Sequence, residues 1–371
     1  MKSLEEVFRR YEFNKTEPET LVSLVENAVK TGDELKDELK RFREITEKLL
    51  KVLDHRKFVV STDPKNLEDI DKYQNMQSAG IDGSLQPIEG FGGYWFVPTS
   101  CATVLFEHGP YSHAEVRVSA SIEKIKEHEY FGVGTEATSR MMIAETKAIM
   151  DYAERTEEPA LLFIDGPIID PPSFAEEKYV KYRCLALSKC LKKKILVIGC
   201  VKRMKARFLI EFMENNLLTN DIDRKLISNY AWDSHLITAV FTKLNMITPK
   251  RVLTTIPLDI SKTDVAHEAY RKCGIIVYSM YLQIDDLSRP LRLDFPIIPD
   301  TEESVLEQAS KILKACFAWY YPGFFVPLPV FLAHKKCEVR KGCADVLYGE
   351  IITRSKSADP FENLMNEKLK R

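Results

Sequence analysis

Two apolar segments, each ending in Asp-Gly, constrain this chain more than anything else in it. The first, "QSAGIDGS" (Gln77–Ser84), delivers Asp82; the second, "ALLFIDGP" (Ala160–Pro167), delivers Asp165. Short apolar runs bounded by turn residues read as strands buried in a sheet. An Asp-Gly pair is by itself a common way to turn a chain, so one copy says little. Two copies at strand ends say more. If the strands are neighbours, the carboxylates meet at one edge of the sheet. Carboxylates held close repel each other unless protons or cations intervene. Hard oxygen donors of this kind suit Mg²⁺ or Mn²⁺.

The segments around them predict a mixed α/β fold, a sheet flanked by helices. "GGYWFVPTS" and "ATVLFEH" read as two apolar strands, and "AEVRVSASIEKI" alternates as a half-exposed antiparallel strand does. A helix is expected over Ser139–Arg155, with Ser139 as its N-cap and Ile143, Ile149 and Met150 on its apolar face. The Asp165 strand follows, then a helix over about 174–191 and the buried strand "KKILVIGCV". Antiparallel strands first, then alternating strand and helix, place a mixed sheet within residues 74–336. Residues 1–60 form an N-terminal helical arm, read as two helices from apolar residues at three- and four-residue steps. Residues 337–371 are a C-terminal extension.

A third acid is expected near the two aspartates. Glu145 lies in a mostly apolar stretch of the helix before the Asp165 strand; Glu136, in the lead-in "GVGTEAT", is its rival. Late in the chain, "YYPGFFVPLPVFLAHKK" leads to His334, beside Lys335 and Lys336. An imidazole there could ligate a metal or transfer a proton, and the lysines could contact phosphate. Lys202, Arg203, Lys205 and Arg207 follow the "ILVIGCV" strand and could neutralise a nucleic-acid backbone, or be solvated charges at a helix start. Tyr94, Trp95 and Phe96 could stack on a base or belong to the core.

Composition narrows the class. The formal net charge is only −2, so a nucleic-acid partner needs a local basic patch rather than bulk charge. The eight cysteines contain no CxxC pair and suit buried free thiols better than a zinc site or a disulfide scaffold. The charged start "MKSLEEVFRRYEF" lacks the apolar region of a secretory signal, and no long apolar run predicts a membrane span. A cytoplasmic location is expected.

Taken in order, the motifs resemble those of the NurA nucleases. The resemblance rests on "DGS" at Asp82, the helical Glu145, "DGP" at Asp165, Gly199 and Lys202 after the next strand, Arg292, Asp294 and Pro296 in an R-x-D-x-P element, and Pro327, Pro329, Ala333 and His334. It implies a homodimeric DNA nuclease with an RNase H-like core and a Mn²⁺ (or Mg²⁺) cofactor. Such an enzyme would act as a 5′→3′ exonuclease and single-strand endonuclease in end resection for recombinational repair, with a HerA-type hexameric translocase. Carried over, Asp82, Glu145, Asp165 and His334 are catalytic and metal-binding, and Lys202, Arg203, Lys205, Arg207 and Lys335 bind DNA. The family's tyrosine ahead of the Pro-x-Pro element falls on Val326, with Tyr320 and Tyr321 further upstream.

Other classes fit less well. A haloacid-dehalogenase phosphatase would need an Asp two residues before its Asp-Gly aspartate, where this chain has Gly80. Actin-like ATPases have phosphate loops richer in glycine. A non-catalytic DNA-end adaptor for a translocase stays open beside the nuclease reading.

Overall fold

A computed structural model describes residues 18–355, apart from 56, 91–92, 127–132, 158, 170–176, 217–223, 226, 261–264 and 300–303. It opens with one long helix, α1 (Pro18–His55), where two were expected. Gly32 is the only breaker in that stretch, and one glycine costs a helix only about 1 kcal/mol. The C-terminal part of α1 buries Ile45, Leu49 and Leu53 in the main core, whereas Val22, Leu24, Val29, Leu35 and Leu39 are exposed.

The elements that follow are β1 (Val59–Thr62), α2 (Ile70–Gln74), β2 (Gln77–Leu85), β3 (Ile88–Glu89), β4 (Tyr94–Phe106), β5 (Ala114–Lys126), α3 (Val133–Arg155), β6 (Ala160–Asp165), α4 (Glu177–Lys192) and β7 (Ile195–Val201). Then come α5 (Phe208–Asn216), α6 (Asp233–Ile247), β8 (Val252–Thr255), β9 (Leu258–Asp259), α7 (Val265–Lys272), β10 (Ile276–Gln283), β11 (Leu291–Ile297), α8 (Val305–Ala318), α9 (Leu328–Cys337) and α10 (Lys341–Ser355).

Five strands in the spatial order β5-β4-β2-β6-β7 make the RNase H-like unit. β5, β4 and β2 run antiparallel in turn, and β2, β6 and β7 run parallel. Beyond β7 the sheet continues through antiparallel β11, β10, β8 and β1. The expected mixed sheet flanked by helices is therefore present, and it is wider than the unit alone requires. Its two faces carry separate cores. Ala79, Ile81, Ile164 and Val197 point to the side covered by α1, α3, α4 and α6, while Val104, Phe163 and Ile198 point to the side covered by α8 and α9. Alternate residues of a strand face opposite ways, which is why one strand feeds both cores.

Several expected boundaries differ. β2 does not stop at Asp82-Gly83 but runs on to Leu85, with Asp82 opposite Ala102 and Gly83 opposite Cys101. The first Asp-Gly is thus mid-strand and makes no turn. "GGYWFVPTS" and "ATVLFEH" merge into the single strand β4, because Cys101 joins two β-prone runs without a breaker. β5 is exposed along nearly all its length rather than half-exposed. Helix α3 starts at Val133, so Ser139 is interior, not a cap. Glu136 is also helical, ion-paired to Arg140 one turn on at 3.5 Å. Ile149 is buried as expected, but Ile143 is exposed.

Candidate metal centre

The register of the parallel pair brings the two aspartates together. Ile81 of β2 is level with Ile164 of β6, so the next residues stand side by side: Asp82, within β2, and Asp165, the last residue of β6. Neighbouring strands lie about 4.8 Å apart, close enough for both carboxylates to serve one ion. Both side chains point to the α9 face of the sheet. The second Asp-Gly does turn the chain: Gly166 has φ +119°, and its N–H donates to Cys200 O at 3.0 Å.

Helix α9 lies across β2 on that face and is seated by the absence of a side chain. A Cβ at Gly80 would come within 2.1 Å of the Pro329 backbone. Pro327 and Pro329 start the helix, where a missing N–H costs nothing. Ser100 Oγ donates to Cys337 O, and Val339 N–H donates to Ser84 Oγ at 3.0 Å, pinning the far end. The helix runs through residue 337, so the expected start of a separate extension lies inside an element of the site. His334 is thereby held with Nδ1 2.8 Å from Asp82 Oδ2 and 3.4 Å from Asp165 Oδ2. One ligand atom from each of Asp82, Asp165 and His334 lies within 4.8 Å of the others.

Electrostatics mark the same spot. Burial, and then repulsion from Asp82, push the Asp165 carboxyl up to about 6; Lys202 and His334 pull it back down. Lys202 Nζ is 2.5 Å from Asp165 Oδ2. The lysine expected to meet nucleic acid is thus an immediate partner of the centre. Cys337 donates its thiol to Asp82 Oδ2 at 3.3 Å, and burial and the Asp82 charge push that thiol well above the usual range. Sequence reasoning missed Cys337. Its signal was its position three residues after His334, on the same side of a helix.

Glu145 is placed differently. It is buried on α3, with Oε1 2.7 Å from where a Gly83 Cβ would stand. Gly83 follows Asp82 and faces the other way, so Glu145 approaches β2 from the face opposite His334. It is not one of the three side chains that lie within 4.8 Å of each other. Its charge nevertheless reaches the centre, raising the Cys101 and Cys337 thiols.

The other expected residues divide. Arg203 and Lys205 are exposed on the segment between β7 and α5, and Lys335 and Lys336 are exposed on α9. Arg207 is engaged, donating to Tyr230 O and Ala231 O at 3.1 Å each and lying 3.9 Å from Glu214. Arg292 and Asp294 form a buried bidentate pair at 2.9 and 3.0 Å, joined by the Ser279 hydroxyl, in the middle of the widened sheet. Of the aromatic trio, Lys124 sits 4.0 Å over the Tyr94 ring, Phe96 packs on Tyr348, and Trp95 packs in a small cluster with Val97, Ile125 and Ala137. Six of the cysteines are buried free thiols, and Cys273 and Cys343 are exposed. No helix among the described residues is long and apolar enough to cross a membrane.

The sheet order and this two-aspartate, one-histidine cluster define an RNase H-like protein with a candidate metal centre. The NurA domain family profile matches residues 76–339. The chain belongs to the NurA family. It is similar in fold to the NurA nuclease from Sulfolobus solfataricus at 13% identity, with TM-score 0.60 and coverage of 91% of this chain and 99% of that one. A second NurA structure is 12% identical, with TM-score 0.54 and coverage of 90% and 99%. A structure of NurA bound to dAMP and manganese matches at 13% identity, TM-score 0.47 and coverage of 86% and 96%. No curated protein sequence matches the chain.

Proposed function

We propose that this chain is a metal-dependent DNA nuclease. The observation that carries the reading is the juxtaposition of Asp82, Asp165 and His334 in a member of the NurA family. Two carboxylates and one imidazole suit Mn²⁺, and suit Mg²⁺ less well because of the nitrogen donor. The repulsion that raises Asp165 is what a divalent cation would relieve. Asp82, Asp165 and His334 would hold the ion, with Glu145 completing the set from the opposite face. Once held there, such ions would polarise a phosphoryl oxygen and lower the pKa of a bound water so that its hydroxide could attack, with two ions sharing the site in this reading.

The chain's own groups do the rest. Asp82 and Asp165 would fix the cleavage point where β2 and β6 part. Lys202, now paired with Asp165, would turn its ammonium to a phosphate oxygen once metal takes up the carboxylate. Arg203, Lys205 and Lys335 line the approach and neutralise the backbone. In this reading the reaction is 5′→3′ exonuclease and single-strand endonuclease cleavage in end resection for recombinational repair, in the cytoplasm, with a HerA-type hexameric translocase; the motif resemblance supports these parts. The homodimer it also implies is supported by β5. Among the described residues this thirteen-residue strand pairs with β4 alone, leaving an open edge, and its exposed face carries Val116, Val118 and Ile122, so a second copy would cover both.

The deciding experiment is a gel assay on labelled DNA with and without Mn²⁺. Wild type cuts only with metal, and Asp82→Ala and Asp165→Ala do not cut. Cutting in EDTA, or full activity in both variants, would sink the reading. Tight DNA or translocase binding with no cutting by wild type would favour the adaptor.

A further inference from the structure

A run of stacked aromatic rings leads up to the candidate centre on its α9 side. Tyr321 and Phe324 lie between α8 and α9, with ring centroids 5.4 Å apart and planes 30° apart. Phe324 continues onto Phe331 of α9, at 3.9 Å and 20°. Phe331 precedes His334 by three residues and Lys335 by four, so the three share one side of the helix. The Lys335 ammonium is 5.9 Å from the Phe331 ring centre. Beside this run, the Arg289 guanidinium lies 5.6 Å from the Phe325 ring.

Exposure separates the outer end of this run from ordinary core packing, while Phe331 also rests against the core. Tyr321, at the outer end, is 51% exposed, and the neighbouring Phe325 is 54% exposed. The segment that carries them is fixed from several sides. Trp319 Nε1 donates to Tyr73 O, Tyr320 OH donates to Asp285 Oδ2, and Leu328 N–H donates to Trp319 O. The platform is therefore formed in advance and does not have to be ordered by its ligand.

We propose that the exposed ring of Tyr321, backed by Phe324 and Phe331, forms a base-stacking platform for single-stranded nucleic acid. Lys335 and the exposed Lys336 take its phosphates, and the platform guides a strand end to Asp82, Asp165 and His334. Ring faces accept any base and lysines read only the backbone, so binding is tolerant of sequence. The proposal rests on the nuclease reading of the centre and adds the surface that holds a single strand on its way there.

The test is fluorescence anisotropy of a short labelled oligo-dT with the full chain in EDTA, at one fixed low salt concentration. Tyr321→Ala should weaken binding about tenfold, and Tyr321→Phe should restore it, because the ring face and not the hydroxyl makes the contact. A duplex of the same length should bind the alanine variant and wild type alike. Unchanged oligo-dT affinity in Tyr321→Ala, or equal losses for single strand and duplex, overturns the platform. Binding is read without metal, so a wild-type chain that binds oligo-dT through Tyr321 yet never cuts would fail the nuclease reading alone.

Discussion

Gly80 and Pro329 meet backbone to backbone: a methyl group on Gly80 would lie 2.1 Å from the Pro329 carbonyl carbon and oxygen. That contact sets the height of α9 above β2, and with it the position of His334 over the two aspartates. Gly80→Ala must push the helix away, since neither backbone can yield cheaply. Its expected cost is about 1–3 kcal/mol, read by chemical denaturation, together with loss of metal-dependent cutting in a variant that still folds.

Gly83→Ala probes the opposite face. Its methyl would meet Glu145 Oε1 and Met141 Cγ, both at 2.7 Å, and these are side-chain atoms that can move. Stability should fall by less than about 1.5 kcal/mol. If Glu145 completes the centre, cutting should fall as far as in Glu145→Gln. Wild-type cutting in both variants would remove Glu145 from the site.

The Asp165 carboxyl carries a pH signature. Its folded value is raised to about 6 from an ordinary 3.8, so the folded protein holds the proton more tightly than the unfolded chain. Stability of the metal-free protein should therefore be greater at low pH and fall as pH rises through about 4 to 6, by roughly 1–3 kcal/mol. Denaturation at the two ends of that window measures it, and Asp165→Asn should flatten the difference. Saturating Mn²⁺ at neutral pH should restore stability by mass action.

Lys202→Gln tests whether that lysine serves the centre or only the nucleic acid. It lies 2.5 Å from Asp165 and pulls that carboxyl down. Its removal should move the acid limb of the pH–rate profile to higher pH. A pure phosphate contact would instead weaken DNA binding and leave the profile in place.

Asp294→Ala should cost about 3–5 kcal/mol, because it leaves the Arg292 guanidinium buried without its bidentate carboxylate. Thermal or chemical unfolding reads the loss. Lower cutting in proportion to the unfolded fraction marks the pair as structural.

The sheet and its two carboxylates were legible in the sequence because buried strands announce themselves by apolar runs. The likeness of Asp82 and Asp165 was visible before any register was known. What escaped was decided by long-range packing. The first Asp-Gly reads as a turn, yet β4 pairs across it and carries β2 on to Leu85. Gly83 serves the approach of Glu145 rather than a bend. Cys337 belongs to the site only because α9 docks on β2, which no local pattern encodes. Lys202 looks like any basic residue after a strand until the β6–β7 register places it beside Asp165.

The imidazole of His334 lies 252 positions along the chain from the carboxylate it touches. Synthesis runs from one end, so Asp82 and Asp165 leave the ribosome long before the third member of the cluster exists. Until α9 has been made and has settled on Gly80, β2 and β6 carry two acids with no imidazole over them. A chain on its way to becoming a nuclease would carry an incomplete centre for most of its own manufacture, and the docking of α9 would complete it.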